Sequence, residues 1–145
     1  MPKILIIDDS FSDAALVAGL LRKRGCECES MHDGTQVVAR AKVSKPDVIL
    51  LDVIMDEQNG FETCRQLKKD PETVGIPVVF LTARASENDR LWGERIGAVA
   101  HLGKPFTPEE LYAALDLAMA KKGATPAKPM ASWAVEISPQ KKKGT

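Results

Sequence analysis

Three short apolar runs decide most of what this chain can become. Ile4–Ile7, Val48–Val53 and Val78–Leu81 are rich in β-branched residues, and only Asp52 interrupts them. A strand with one solvated face alternates apolar and polar residues. A strand covered on both faces reads as an unbroken apolar run, which is the mark of a parallel sheet lying between helices. Two weaker strand signals are Cys26–Met31, which alternates, and Ala98–Leu102.

Helical patterns fill the intervals. Ala14–Arg24 sets Leu16, Val17, Leu20 and Leu21 on one stripe and stops at Gly25, a C-cap residue. Gln36–Val43 follows Gly34-Thr35, Phe61–Lys69 stops before Asp70-Pro71, and Glu87–Ile96 stops before Gly97. Thr107-Pro108-Glu109-Glu110 is a capping box with proline at the first helical position, and it opens a helix that runs to about Lys121. Parallel strands joined by helices cross over right-handed. Five such units predict a doubly wound α/β sandwich of three layers, with ligands held outside the carboxyl ends of the strands. The pattern leaves the strand order open.

Charge divides the chain in two. The 20 Lys+Arg and 20 Asp+Glu cancel, but residues 121–145 hold six lysines against Glu136 alone. The body therefore keeps 14 basic against 19 acidic residues, a balance of −5, and the tail is +5. An acidic body lacks the basic stripe that nucleic-acid binding requires, so nucleic acid is not expected as a partner. No apolar run reaches the roughly 18 residues of a membrane span, and Ile4–Ile7 is too short for a secretory core. Cys26, Cys28 and Cys64 are odd in number and lack metal-like spacing, which suits a reducing cytoplasm. After Lys122 the chain becomes a Pro/Ala/Lys linker, 123–129, followed by the strand-like Trp133–Ile137 and a lysine-rich end. The expected division is a folded domain over 1–122 and a tail over 123–145.

The chemistry lies at the predicted strand ends. Asp8 and Asp9 follow the first strand, Asp52 ends the third, Thr82 follows the fourth, and Lys104-Pro105 follows the fifth. Clustered carboxylates repel and are costly to desolvate unless a cation answers them. Mg²⁺ is suited to one or two carboxylates plus phosphate oxygens and waters. An acid cluster, a hydroxyl and a lysine on one rim describe a phosphoryl-transfer site. Each residue alone reads as a helix cap, a turn former or a surface group; the signal is their convergence.

This set resembles the receiver domain of two-component response regulators over residues 2–121. The intervals agree, with Thr82 and Lys104 lying 30 and 52 positions after Asp52, and Gly60 closing the loop that follows it. The resemblance implies a (βα)₅ fold with flavodoxin-like strand order 2-1-3-4-5. It implies that Asp52 accepts a phosphoryl group from a histidine kinase or phosphotransfer protein. Asp9, Asp52 and the backbone carbonyl of Ile54 are then expected to hold Mg²⁺, with Asp8 on a metal-bound water. Lys104 is expected to pair with the phosphoryl oxygens and Thr82 to swing its hydroxyl onto them. The Lys104-Pro105 bond is expected to be cis.

Several positions depart from the family pattern. The switch aromatic is replaced by His101, either a half-exposed sheet histidine or a rotamer switch that responds to protonation near its ordinary pKa of about 6.5. The usual Met-Pro after the phosphorylation site reads Met55-Asp56, and Glu57 adds another acid, so a mobile loop and a modestly altered Mg²⁺ affinity are expected. The apolar Ile54, two positions past Asp52, orients no water, which predicts a long-lived phosphorylated state. Leu91–Ala98 is similar to stand-alone receivers of pilus-motility chemosensory systems. Trp92, His101 and Tyr112 mark the expected output face, formed by the helix over 87–96, the fifth strand and the last helix.

The expected function is a single-domain response regulator, not an enzyme beyond self-phosphorylation and slow autodephosphorylation. It signals by protein contact through that face, in motility or chemotaxis. The tail is either a disordered extension, a short partner-binding motif over 130–138, or a basic segment that folds back on the acidic body. The competing reading is a receiver-fold scaffold independent of phosphorylation. An aspartyl-phosphate hydrolase needs Asp-x-Asp at the first strand and a cap insertion, and neither is present. A flavin carrier needs donors where Asp8-Asp9-Ser10 offers carboxylates.

Overall fold

The computed structural model describes residues 1–55, 59–82 and 95–123. Five strands form one parallel sheet: β1 Lys3–Ile7, β2 Glu27–Met31, β3 Val48–Asp52, β4 Val78–Thr82 and β5 Ala100–Gly103. Their order is β2-β1-β3-β4-β5. The described helices are α1 Phe11–Arg22, α2 Val37–Ser44, α3 Gly60–Lys69 and α4 Pro108–Ala120.

The unbroken apolar runs are explained by alternation into two cores. Ile4, Ile6, Val48, Leu50, Val79 and Leu81 pack with Ala14, Val17, Ala18 and Leu21 of α1 and Leu111, Leu115 and Ala118 of α4. The intervening Leu5, Ile7, Ile49, Leu51, Val78 and Phe80 pack on the other face with Val37 and Ala41 of α2 and Cys64 and Leu67 of α3. Each fully buried Val, Leu, Ile or Phe contributes about 1.5–3 kcal/mol, so the three central strands dominate the stability. The edge strand β2 is less covered and keeps the alternation seen in its sequence. The expected α/β fold and strand order are those observed.

The structure corrects the reading of α1. The expected stripe includes Leu16, yet Leu16 is 64% exposed and Leu20 only partly buried. The buried positions are Ala14, Val17, Ala18 and Leu21, at i, i+3, i+4, i+7 spacing. Two small alanines face the sheet, and a pattern that counts only bulky residues is rotated away from them. The helix also stops earlier, with Lys23 as C-cap, and Gly25 turns the chain two residues later at φ +81°. In α4 the capping box is complete: Thr107 Oγ1 accepts from Glu110 N at 3.1 Å, and Glu110 Oε1 accepts from Thr107 N at 2.8 Å.

Only the last residues of the helix expected over 87–96 are described, and 95–96 are helical. Trp92, the 56–58 part of the loop after Asp52, and the tail from 124 onward lie outside the described residues. At the end of the described chain, Gly123 N donates to Gly75 O at 2.9 Å, and Lys122 is paired with Asp47.

Candidate phosphoryl-transfer site

Parallel pairing brings strand ends from distant parts of the chain onto one rim. Ile7 is in register with Leu51, so Asp8 lies beside Asp52 across the β1–β3 pair. Asp52 pairs with Leu81 and Thr82 with Gly103, which sets Thr82 and Lys104 on the same edge. Main-chain bonds continue past the strand ends, with Asp8 N on Met31 O at 3.0 Å and Lys104 N on Thr82 O at 2.7 Å. The turns carrying the acids and the lysine are thus held to their neighbours.

Asp8, Asp9 and Asp52 present carboxylate oxygens that lie within 4.8 Å of one another. Asp8 is wholly buried and Asp52 6% exposed. Asp52 Oδ1 accepts from Ile54 N at 3.1 Å, and Asp8 Oδ1 accepts from Ser10 N at 2.9 Å. Lys104 Nζ donates to Asp8 Oδ2 at 2.8 Å, to Asp52 Oδ2 at 3.1 Å and to Asp13 Oδ2 at 3.0 Å. The Lys104-Pro105 peptide is cis. Thr82 is fully buried at the end of β4.

Burial pushes the Asp52 carboxyl up to about 6, and the charge of Asp8 adds to the rise. The Ile54 N–H and Lys104 act against it without overcoming it. Burial also works against the Lys104 ammonium, but its bonds to Asp8 and Asp13 and the charge of Asp52 outweigh it and raise its pKa. Asp8, Asp9 and Asp52 thus gather three carboxylates in one crevice. An all-oxygen acidic donor set of this kind fits a hard divalent cation such as Mg²⁺.

The other expected positions are placed less uniformly. Ile54 is 47% exposed beside the acids. His101 is half-buried in β5, with its ring 6.1 Å from that of Phe80 in an edge-on arrangement. The Tyr112 hydroxyl donates to Leu20 O of α1 at 2.8 Å, and its ring lies under Arg24. The last helix turns that side chain toward α1, because the hydroxyl finds there the acceptor that a half-buried phenol needs.

Two features of the rim escape a reading of strand ends. Asp13 lies one helical turn beyond Asp9 and looks like an ordinary first-turn acid of α1, yet it reaches Lys104. His32 follows β2, and its Nδ1 donates to the backbone oxygen of Asp8 at 3.0 Å while its ring stacks on Phe11 at 3.7 Å. The signal for Asp13 was its place one turn past the acids; for His32 there was none.

Comparison with known proteins agrees with this geometry. Residues 4–116 match the response regulator receiver domain family. The chain is 40% identical over 120 residues to protein PilH of Pseudomonas aeruginosa, an alignment covering 83% of this chain and 99% of PilH. It is 38% identical over 120 residues to the phosphate regulon transcriptional regulatory protein PhoB of the same species, covering 83% of this chain and 52% of PhoB. Among solved structures, chemotaxis protein CheY4 of Vibrio cholerae aligns with a TM-score of 0.77 at 34% identity, covering 81% of this chain and 98% of CheY4. The receiver domain of Klebsiella pneumoniae RstA aligns at 0.75 and 27% identity, covering 81% of this chain and 97% of that one. By sequence family, by relatives at this identity and by fold, the chain belongs to the response regulator receiver domains of two-component signalling.

Proposed function

We propose that this protein is a phosphorylation-driven switch of the stand-alone kind, with Asp52 as the phosphoryl acceptor. The observation that carries the reading is the meeting of Asp8, Asp9 and Asp52 with Lys104 Nζ, 3.1 Å from Asp52 Oδ2. An Asp52 oxygen attacks the phosphorus of a phosphohistidine on a kinase or phosphotransfer protein. The new P–O bond forms as the P–N bond breaks, and the electron pair leaves with the imidazole nitrogen. Lys104 places its charge against the phosphoryl oxygens, and Thr82, at the end of the adjacent strand, supplies a hydroxyl donor. Asp9, Asp52 and the Ile54 carbonyl would hold Mg²⁺, with Asp8 on a bound water; when bound, the ion supplies positive charge against the transferring group.

The signal leaves by protein contact. His101, packed on Phe80 in β5, sits where a change at Thr82 one strand away can reach the surface. A role in motility or chemotaxis is supported by the likeness to PilH and CheY4 and by the Leu91–Ala98 stretch. Three free thiols support a cytoplasmic location. Among the described residues, no helix is long and apolar enough to cross a membrane.

The test is intact mass after incubation of the full chain with acetyl phosphate, with and without Mg²⁺, beside Asp52→Ala. A Mg²⁺-dependent gain of one phosphoryl group, absent in Asp52→Ala, supports the reading. No gain in the wild type would move it to a phosphorylation-independent scaffold.

A further inference from the structure

Lys104 has no N–H to spare. An ammonium has three donors, and among the described residues the Lys104 ammonium meets three carboxylates, those of Asp8, Asp13 and Asp52. Phosphorylation alters this balance, because a carboxylate of charge −1 on Asp52 becomes an acyl phosphate of charge about −2 with three strong acceptor oxygens. The N–H given to Asp52 can pass to that group, and the added charge calls for a second.

The three acceptors differ in how easily they can let go. The Asp8 side chain is 1% exposed and would be left as a buried, uncompensated charge. The Asp13 side chain is 48% exposed, at the first turn of α1, and water can replace what it gives up. Asp13 and Lys104 also line one open hollow of about 350 Å³ with Leu16, Val17, Pro105 and Phe106, so the freed carboxylate has room to turn.

We infer that Asp13 is a holding residue for Lys104: it occupies one N–H in the unphosphorylated protein and surrenders it to the phosphoryl group. The inference rests on the proposed phosphorylation of Asp52 and assigns a regulator of that step. An interaction stronger before transfer than during it slows the transfer. Asp13 is therefore a positioning residue that restrains phosphorylation, acting through Lys104 without touching the reacting atoms.

The experiment follows the rate of the Mg²⁺-dependent mass gain from acetyl phosphate, in which the Asp52 oxygen bonds to phosphorus as the acetate oxygen leaves with its electron pair. Asp13→Ala and Asp13→Asn are expected to react about two- to fivefold faster, the size of an ion pair with one half-exposed member. Asp13→Glu, which keeps the charge and the reach, is expected to return to the wild-type rate. The gain is expected to vanish when Asp13→Ala is made in a Lys104→Met background, as for two residues that act as one unit. Wild-type or slower rates in Asp13→Ala and Asp13→Asn, with the wild type itself phosphorylated, would overturn the inference and leave the proposed function standing. An undiminished gain in the Lys104→Met background would also overturn it, since Asp13 would then act by its general field. Absence of any phosphoryl gain in the wild type would remove both.

Discussion

Gly60 is the position where a single methyl group tests the construction of the site. It is the first residue of α3, and its N–H donates to Val53 O at 2.8 Å, tying the helix start to the end of β3. A Cβ at Gly60 would lie 2.2 Å from Asp52 O, 2.8 Å from Val53 Cα and 3.0 Å from Asp52 C. All three atoms are backbone, so no side chain can swing aside. To restore even 3.0 Å to the carbonyl oxygen, one segment must retreat by 0.8 Å, the difference between 3.0 and 2.2 Å. Overpacking of this kind typically costs about 1–3 kcal/mol. Alanine returns at most about 0.5–1 kcal/mol through its better helix propensity, and less in a first turn. Sterics win, and Gly60→Ala is expected to lose about 1–2 kcal/mol in urea denaturation. Because the atom displaced is the carbonyl of Asp52 itself, the variant should also take up phosphoryl groups from acetyl phosphate more slowly. A Gly60→Ala protein as stable as the wild type and phosphorylated at the same rate would refute the close approach of α3 to the phosphorylation site.

Other predictions follow from single contacts. Asp52 is held near 6 in the folded protein against 3.8 in an unfolded chain, so its ionisation opposes folding above about pH 6 and ceases to do so as pH falls toward 4. By linkage that opposition is worth up to about 3 kcal/mol, and metal-free Asp52→Asn should gain about 1–3 kcal/mol near pH 7, after its lost bond to Lys104 is counted. Melting in chelator at pH 7 and pH 4.5 checks this, and an equal gain at both values would contradict it. Thr107→Ala removes the capping hydroxyl of α4 and should cost about 1 kcal/mol in urea unfolding without altering phosphorylation by acetyl phosphate. Ile54→Asn sets a water-binding amide beside the acyl phosphate and should shorten the phosphorylated lifetime severalfold, read by loss of the mass gain after donor removal. An unchanged lifetime would show that the Ile54 side chain does not govern water at the site.

Much of this protein could be read residue by residue. The runs at Ile4–Ile7, Val48–Val53 and Val78–Leu81 announce strands covered on both faces, and the two cores on either side of the sheet are the physical form of that pattern. Thr107-Pro108-Glu109-Glu110 specifies its helix start because both hydrogen bonds of the box close within four residues. The strand-end position of Asp8, Asp52, Thr82 and Lys104 was legible for the same reason, since a strand end is a local property. The facing of α1 was not, because which arc of a helix is buried depends on the sheet it meets: Ala14 and Ala18 are buried and Leu16 is not. The contacts of Tyr112 were not legible for a like reason, its partners Leu20 and Arg24 being about 90 residues earlier in the chain.

The set of elements and the chemistry available at their ends are local properties, because propensity, periodicity and capping act over a few residues. How that chemistry is wired depends on contacts made across the folded sheet. Lys104 meets Asp8 from 96 residues away, Asp13 from 91 and Asp52 from 52. Those contacts, and the approach of Gly60 to the Asp52 carbonyl, arise where parallel strands and their crossover helices converge. Spacing along the chain carries no record of which of several acids a lysine will reach, because side-chain contacts are settled by distances across the sheet.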